Sequence, residues 1–565
     1  MKLKQEHIYL FIIVIIAIVA YINIFQNSFV WDDKDFIIDW NTKNSLSNLP
    51  TLLKGEVPEK HIGVFRPIRS VLYAFSYKLW GLNPIGYHLQ SLFIHVICTI
   101  LVYLITVQLT TKGIGFISAL LFGAHPIHTE SITFITTSFD IFGIAFFLLA
   151  FYFYLRANNN KLFYIASLIF SALAFFTYEI TIILPLIIIL YDALFTSRDA
   201  LKNNSKFYVP YFIIAASYIF IRFFILHISG RGDYFAGSPF NTFIIMIKAF
   251  ALYIWLVIFP INLSINHILA PGIDSFVYAG INQKAFLAKS FFDIDILLSA
   301  IFLISIIAAS ICSYKKHPLV TFCVSWFFIA LLPVSNIVPI AIIMSEKYLY
   351  LPSVAFCILL GFFLYKLNKK YKSVSVIIIL LILLFYIALS LNRNVHWKDD
   401  IALWETASKQ NPNSAMINFN LGNAYLSAGF PKKAGSSYAN AIEADPYFIR
   451  AYNNLANIFI QANELDYAYE VLKEAINHKP NSNTYEDLGI IFTKKEEYGQ
   501  AEKYFQKSIE LDPNDAGTYN NLGKLYLLNG NYTKSIYYLK KAVALNPGSE
   551  QLKKDLNYAE TLTGQ

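Results

Sequence analysis

The sequence predicts an all-α fold in two parts, a polytopic membrane domain of about eleven spans over residues 1–392 and a helical-repeat solenoid over 393–565. Composition is the first observation behind this. Of 565 residues, 56% are hydrophobic, 17% aromatic and only 15% charged, with a mean hydropathy of +0.49; a soluble globular chain carries about 25% charged residues. The second is a change of texture near residue 392, where long apolar runs give way to regularly spaced amphipathic sequence. The formal charge of +8 does not point to nucleic acid, because much of the Lys and Arg sits beside apolar runs, as in "MKLK", "SYKKH" and "LNKKYK". Lipid topology accounts for such clusters.

A helix needs about 20 apolar residues to cross the hydrocarbon. Candidate spans lie near 8–25, 88–108, 114–136, 139–155, 161–177, 180–195, 207–227, 294–313, 318–333, 353–366 and 373–391. The first follows a short basic start and is read as an uncleaved span, not a signal peptide, because so many others follow it. Lys2/Lys4, Lys112, Arg156/Lys161, Arg198/Lys202/Lys206, Lys315/Lys316 and Lys366 to Lys372 then mark one face, which fits a zigzag with the N-terminus inside and the tail outside. The run 241–259 spoils this parity, so the sequence suggests a re-entrant, interfacial or hairpin element there, with Lys248 in its middle and Pro260 at its end. Cys98, Cys312, Cys323 and Cys357 all lie inside apolar runs without a C-x-x-C pair, and are read as small buried hydrophobes rather than disulfides or thiolate ligands.

The tail repeats itself. Leu421/Gly422, Leu455/Ala456, Leu488/Gly489 and Leu522/Gly523 are each followed, 13 residues after the Leu, by a small residue (Ala434, Ala468, Ala501, Ser535). Pro412, Pro446, Pro480, Pro513 and Pro547 recur at spacings of 34, 34, 33 and 34. This is the tetratricopeptide pattern of two helices per unit, small residues where they cross and Pro ending the second. It predicts a partial repeat at 400–414, repeats near 415–448, 449–482, 483–515 and 516–549, and a capping helix at 550–562. Such arrays bind peptides or protein surfaces.

On the zigzag, several polar patches share the outer face: "FVWDDKDFIIDW" (29–40) in the long loop 26–87, "FRPIRS" (65–70), "AHPIHTES" (124–131), "TYE" (177–179), "GRGDYF" (230–235) and "MSEKYLY" (344–350). Ionisable groups near membrane depth are costly and mark function. Asp32 and Asp33 have two readings. Either they cap an interfacial helix anchored by Trp31 and Trp40, or one is a base that deprotonates a hydroxyl acceptor while an anionic group leaves. Adjacent residues cannot both face one point on a helix, so the second would orient the first or face a cation. Asp33 and Asp35 also read as D-x-D, a divalent-cation pair that three residues alone do not specify. Arg66 and Arg69 either snorkel to headgroups or grip a phosphate bidentately. His125, His128 and Glu130 fall at i, i+3 and i+5, which suits helix-start packing or an incomplete zinc set with no fourth ligand. Glu179, and Glu346 with Lys347, are single charges beside spans and read as ion pairs or as parts of a site.

In order, F-x-W-DD, F-R-P, "AHPIHTESI", "YEITIILPLIIILYD" and "EKYLYLPS", followed by the repeats, resemble the transmembrane-and-tetratricopeptide-repeat O-mannosyltransferases and their prokaryotic relatives, which are similar to protein O-mannosyltransferases of the GT-C class. The resemblance implies an inverting membrane glycosyltransferase that moves a sugar, mannose, from a polyprenyl-phosphate donor to a Ser or Thr hydroxyl of a protein outside the cytoplasm. Its catalytic acidic pair matches Asp32 and Asp33, and its R-P motif matches Arg66. Its H-P-x-H-T-E motif matches His125, His128 and Glu130, and its E-R-Y-L-Y-L-P-S motif matches Glu346 and Lys347. Two cations of the family pattern are absent, with Tyr178 before Glu179 and Ser138 ahead of the retained Asp140.

The chemistry fits the residues on its own terms. A phosphate leaving group needs positive charge and no general acid, so one carboxylate suffices, unlike the two of a glycosidase. Asp32 or Asp33 as base with Arg66 and Lys347 as donor-phosphate partners meets the requirement, with His125, His128, Glu130, Glu179 and Glu346 in support. The expected partners are membrane lipid, the polyprenyl-phosphate sugar and an acceptor protein held by the repeats, in a bacterial inner membrane with site and repeats facing outward. A divalent cation is compatible with the acidic pair. The rival is a non-catalytic membrane scaffold whose repeats recruit envelope proteins.

Overall fold

The computed structural model describes residues 5–39, 46, 49–54, 64–157, 160–196, 198–228, 232, 234–270, 273–274, 293–340 and 342–563. Trp40, and most of the "GRGD" stretch, lie outside the described residues. The chain divides into a membrane unit that ends at Gln410 and a repeat unit over Asn411–Gln565.

The membrane unit is helical apart from a two-stranded antiparallel hairpin, Ile268–Ala270 with Ile273–Asp274. Eight of its described helical segments are long and apolar enough to cross a membrane: Gln5–Gln26, Pro84–Leu109, Ile135–Arg156, Asn204–Ile225, Pro239–Ile258, Ile294–Ser313, Glu346–Lys370 and Lys372–His396. Three shorter apolar helices, Lys112–Ala124, Lys161–Thr177 and Pro318–Val334, add to these. The run at 241–259 is regular, which fits the interfacial and hairpin-arm readings and not a broken re-entrant one. It is one unbroken helix of 20 residues, Pro239–Ile258, and its central Lys248 reaches Asp295 of the next helix at 2.8 Å. That ion pair removes the need to break the helix around a lone charge. Exposed side chains such as Phe11, Ile165, Phe224, Ile304 and Leu384 turn outward from this unit, as lipid-facing positions do. Cys98, Cys323 and Cys357 are buried, whereas Cys312 is exposed among these outward residues and not in the core.

The segment between the first span and Pro84 carries a helix, Pro67–Trp80, that follows directly from "FRPIRS". Pro67 occupies the first helical position, where its missing N–H costs nothing. Its buried face (Arg69, Ser70, Tyr73, Ala74) packs with Phe36, Ile37, Tyr87 and Phe139 in a small core of its own.

By its contacts the helix Asp400–Gln410, the predicted partial repeat, groups with the membrane unit. Asp400 accepts the Trp31 N–H at 2.8 Å and pairs with Lys34, and Trp404 packs edge-on to Trp31 with ring centres 5.3 Å apart.

The repeat unit holds four helix pairs and a final helix: Ala415–Ser427 with Pro431–Ala444, Ile449–Gln461 with Leu465–His478, Ser482–Lys494 with Tyr498–Leu511, Ala516–Leu528 with Tyr532–Leu545, then Glu550–Thr563. The small residues of the motif explain themselves. A Cβ at Gly422 would stand 2.4 Å from the Tyr438 ring, so its absence lets the aromatic of the second helix lie across the first. Ala434, Ala468, Ala501 and Ser535 are all fully buried at the crossings. The turn within each pair needs one left-handed residue, supplied by Gly429, Asn463, Glu496 and Gly530 at φ of +81°, +61°, +61° and +72°.

Candidate functional site

Four of the polar patches converge on one cavity of about 320 Å³ inside the membrane unit. Asp32, Arg66, Arg69, Asp140, Glu179, Arg222 and Lys347 supply its charged lining, with Tyr73, Tyr178, Tyr218 and Tyr348 among them. One flank is apolar and includes Ile219, Phe223, Val334, Val338 and Ile340. Counting formal charges, four cations (Arg66, Arg69, Arg222, Lys347) face three carboxylates (Asp32, Asp140, Glu179), a balance of one positive charge.

Backbone geometry separates the acidic doublet. Trp31 is held at φ +50°, rare for a bulky residue, by its N–H bond to Asp400 and by stacking on Phe134 with ring centres 5.5 Å apart. It is therefore a packing residue and not the headgroup anchor the sequence suggests. The turn that follows, closed by Asp33 N–H to Val30 C=O at 3.0 Å, sends the two carboxylates different ways. Asp32 lines the cavity. Asp33 is fully buried, accepting the Thr136 N–H at 2.7 Å and hydroxyl at 2.6 Å on one oxygen and the Val30 N–H at 3.1 Å on the other. Thr136 lies in the first turn of the Ile135–Arg156 helix, whose N-cap residue Phe134 brings no capping side chain; Asp33 caps it from a distance. With both oxygens directed at three donors, Asp33 does not fit the D-x-D cation pair with Asp35. Among the described residues, no group of three or more His, Cys, Asp or Glu side chains converges as a metal site.

Burial pushes the Asp33 carboxyl up from 3.8 to about 7, against the pull of its hydrogen bonds to Thr136 and Val30. The folded protein thus keeps a proton between pH 4 and 7 that the unfolded chain has released, so this group's contribution to stability falls as pH rises through that window. Asp33→Asn is expected to flatten that slope in the thermal unfolding temperature measured from pH 5 to 7.5, and an unchanged slope would count against it.

Arg66 sits at the head of the Pro67–Trp80 helix, fully engaged with two acids. Its Nε and Nη2 donate to the two Glu179 oxygens at 2.5 and 2.7 Å, its Nη1 donates to Asp140 at 3.0 Å, and its guanidinium lies over the Tyr178 ring at 4.9 Å. Arg69, one turn on, donates to Asp140 at 2.7 Å, to Tyr73 and to the Thr136 carbonyl. Gly143 allows this cluster, because a Cβ there would come within 2.6 Å of Tyr178 and push the Tyr178–Glu179 turn off the Ile135–Arg156 helix. Burial opposes ionisation of Glu179, but the charge and hydrogen bonds of Arg66 outweigh it and hold the carboxyl well below the usual range. Arg66 is a clamp for Glu179 and Asp140, and not the open phosphate fork that its motif suggests.

The Glu346–Lys347 doublet divides in the same manner on the 3-10 turn Glu346–Leu349. Glu346 is fully buried and accepts from Ser264 N–H at 2.6 Å, His267 Nε2 at 3.0 Å and Arg393 Nη2 at 2.7 Å. Lys347 lines the cavity, and among the described residues its ammonium has no carboxylate at ion-pair distance. Glu130 holds its backbone, accepting the Ser345 hydroxyl at 2.8 Å and the Lys347 N–H at 3.2 Å. Burial pushes the Glu130 carboxyl up, against the nearby Lys347 charge.

His125 and His128 are not among the residues that line the cavity. His125 caps the turn at Ile127 through Nδ1 and meets the Val257 carbonyl at 3.0 Å, while His128 meets the Ser353 hydroxyl at 2.8 Å. Burial lowers both, His125 to about 3, so they are neutral packing groups. Ser138 turns its hydroxyl back to the Ile135 carbonyl at 2.7 Å.

Arg222, Arg393 and His267 belong to this constellation without having been singled out in sequence, and Asp140 was noted there only as retained. For Arg222 the signal is there, a lone cation inside the apolar run "YIFIRFFIL". It sits on a π-helical turn, Ile221–Ile225, a device that re-aims side chains at functional sites.

A family model described as dolichyl-phosphate-mannose-protein mannosyltransferase matches residues 66–222, the stretch that runs from Arg66 to Arg222. Tetratricopeptide models match 401–447, 419–483, 482–515 and 504–537. The chain is 25% identical over 457 residues to a protein O-mannosyl-transferase of Caenorhabditis elegans, covering 78% of this chain and 63% of that protein. It is 22% identical to TMTC3 of Mus musculus, covering 89% and 64%, and 25% identical to TMTC4 of Homo sapiens, covering 72% and 62%. The chain thus spans less than two thirds of the length of these relatives. The membrane unit, through its mannosyltransferase match, and the repeat tail, through its tetratricopeptide matches, are thus both similar to the TMTC-like protein O-mannosyltransferases.

Proposed function

We propose that this protein is an extracytoplasmic GT-C mannosyltransferase that moves mannose from a polyprenyl-phosphate donor to a Ser or Thr hydroxyl of a protein, with Asp32 as the base. The observation that carries the reading is the cavity itself, whose lining combines one carboxylate of the doublet, Asp32, with Lys347 and Arg222 and an apolar flank suited to an isoprenoid. In the reaction, Asp32 takes the hydroxyl proton as the acceptor oxygen bonds to the anomeric carbon. The bond from that carbon to the phosphate oxygen breaks on the opposite side, which inverts the sugar. The electron pair leaves with the polyprenyl phosphate and is stabilised by fixed positive charge. Lys347 is the main phosphate partner, and Arg66, with its charge already matched by Glu179 and Asp140, shapes the wall. The repeats hold the acceptor protein, and the bacterial inner membrane with an outward site is the setting that the basic clusters favour.

The test is transfer from polyprenyl-phosphate mannose to acceptor peptides, read by mass spectrometry of glycopeptides. Lys347→Met is expected to lower kcat/KM about 10- to 100-fold, the range for a lost charge-assisted contact, and to raise the donor KM. A normal rate in this variant, or no mannosyl product with any acceptor, would favour the scaffold reading, in which the family cations lost at Ser138 and Tyr178 record lost catalysis.

A further inference from the structure

A second cavity, of about 470 Å³, opens among the far ends of the helices that carry the first. Tyr154, Asn160, Lys161, Tyr164, Tyr191 and Asp192 line it. Tyr154 and Asp140 stand on the same helix, 14 residues apart, so roughly 21 Å separates this site from the catalytic cavity at 1.5 Å per residue. Asp192 is its centre and is 2% exposed. One carboxylate oxygen takes three hydrogen bonds, from Tyr154 and Tyr208 hydroxyls at 2.6 Å each and from Asn204 at 3.1 Å. The other has no hydrogen-bond partner among the described residues, and no Lys, Arg or His among them forms an ion pair with Asp192. A buried charge without a counter-charge is expensive, and neutral donors on one oxygen offset only part of that cost.

We propose that this cavity binds a primary ammonium group joined to a phosphate, the phosphoethanolamine headgroup. Asp192 offers an oxygen with no partner among the described residues to an N–H donor, which a trimethylammonium lacks. The rings of Tyr154, Tyr164 and Tyr191 wall the same space and attract a cation by their faces. At the mouth, Lys161 begins the Lys161–Thr177 helix behind its Asn160 cap, so ammonium side chain and helix N-terminus together favour an anionic phosphate. The level is that of lipid headgroups: Arg156 ends one apolar helix and Lys161 begins the next. The proposal does not depend on the catalytic reading, because none of these residues lines the first cavity.

Native mass spectrometry of the full-length protein in detergent, titrated with phosphatidylethanolamine, phosphatidylcholine and phosphatidylglycerol, tests it. Phosphatidylethanolamine is expected to be retained about tenfold more strongly than either of the others, the worth of one charge-assisted contact. Asp192→Asn, which keeps the shape and one acceptor oxygen, is expected to erase that preference. Lys161→Glu, at an exposed position, is expected to weaken it in a protein whose fold is unaffected, and carries the test if the first variant does not fold. Soluble O-phosphoethanolamine competing as strongly as the lipid would support the site with the free ion as occupant, and failure to compete would support the lipid. Equal retention of all three lipids, or an undiminished preference in both variants, would overturn the proposal.

Discussion

Asp32→Asn is expected to lower mannosyl transfer by at least about 100-fold, the lower end of what a positioned general base contributes. Asn is isosteric but cannot accept the hydroxyl proton, so the loss belongs in kcat with the donor KM little changed. The control is its neighbour. Asp33→Asn removes an acceptor from the seat formed by Thr136 and Val30, so its effect appears as a lowered unfolding temperature and an altered pH slope, with any loss of rate following from the displaced loop. A rate in Asp32→Asn within twofold of wild type would end the assignment of Asp32 as base, whatever Asp33→Asn does. Loss of rate in both variants with equal loss of stability would show that the doublet acts as one structural unit.

The contrast between Asp32 and Asp33 also shows where sequence reading stops. Long apolar runs and a 34-residue period follow from lipid and from helix crossing, and each has a signal many residues long, so the architecture was legible. The gathering of the acidic loop, "FRPIRS", "TYE" and "MSEKYLY" was legible as well, because each patch punctuates a span on the same predicted face. What the sequence does not carry is direction. In "DD" and again in "EK", one charge turns inward to hold the backbone and the other lines the cavity, and the choice depends on a left-handed Trp31 and a 3-10 turn at Glu346. Pairing across distance is equally hidden. Arg66 meets Glu179 over 113 positions and Glu130 reaches Ser345 over 215, and no local spacing announces either. His125 and His128 take the packing reading that their spacing already allowed, each bonded within the fold.

Glu346→Ala is expected to destabilise the membrane unit by about 3–5 kcal/mol, the cost of stranding the partner of a buried ion pair. Three groups lose their acceptor together: the Arg393 guanidinium, the His267 ring and the Ser264 N–H. Arg393 also donates to the Leu263 carbonyl, so the 263–267 segment is tied to both partners and loosens with them. A well-packed apolar pair can replace such a bridge at little cost, and Glu346→Leu combined with Arg393→Met is expected to recover most of the unfolding temperature lost in either single variant. Activity separates the two roles of the doublet. The double variant keeps Lys347, whose backbone Glu130 still holds, so restored stability should restore transfer, whereas Lys347→Met should stay impaired at full stability. Thermal unfolding in detergent, followed for the two single variants and the pair, decides it. A single variant as stable as wild type would mean that the buried triad contributes nothing that a solvated pair would not, and that Lys347 is placed by Glu130 alone.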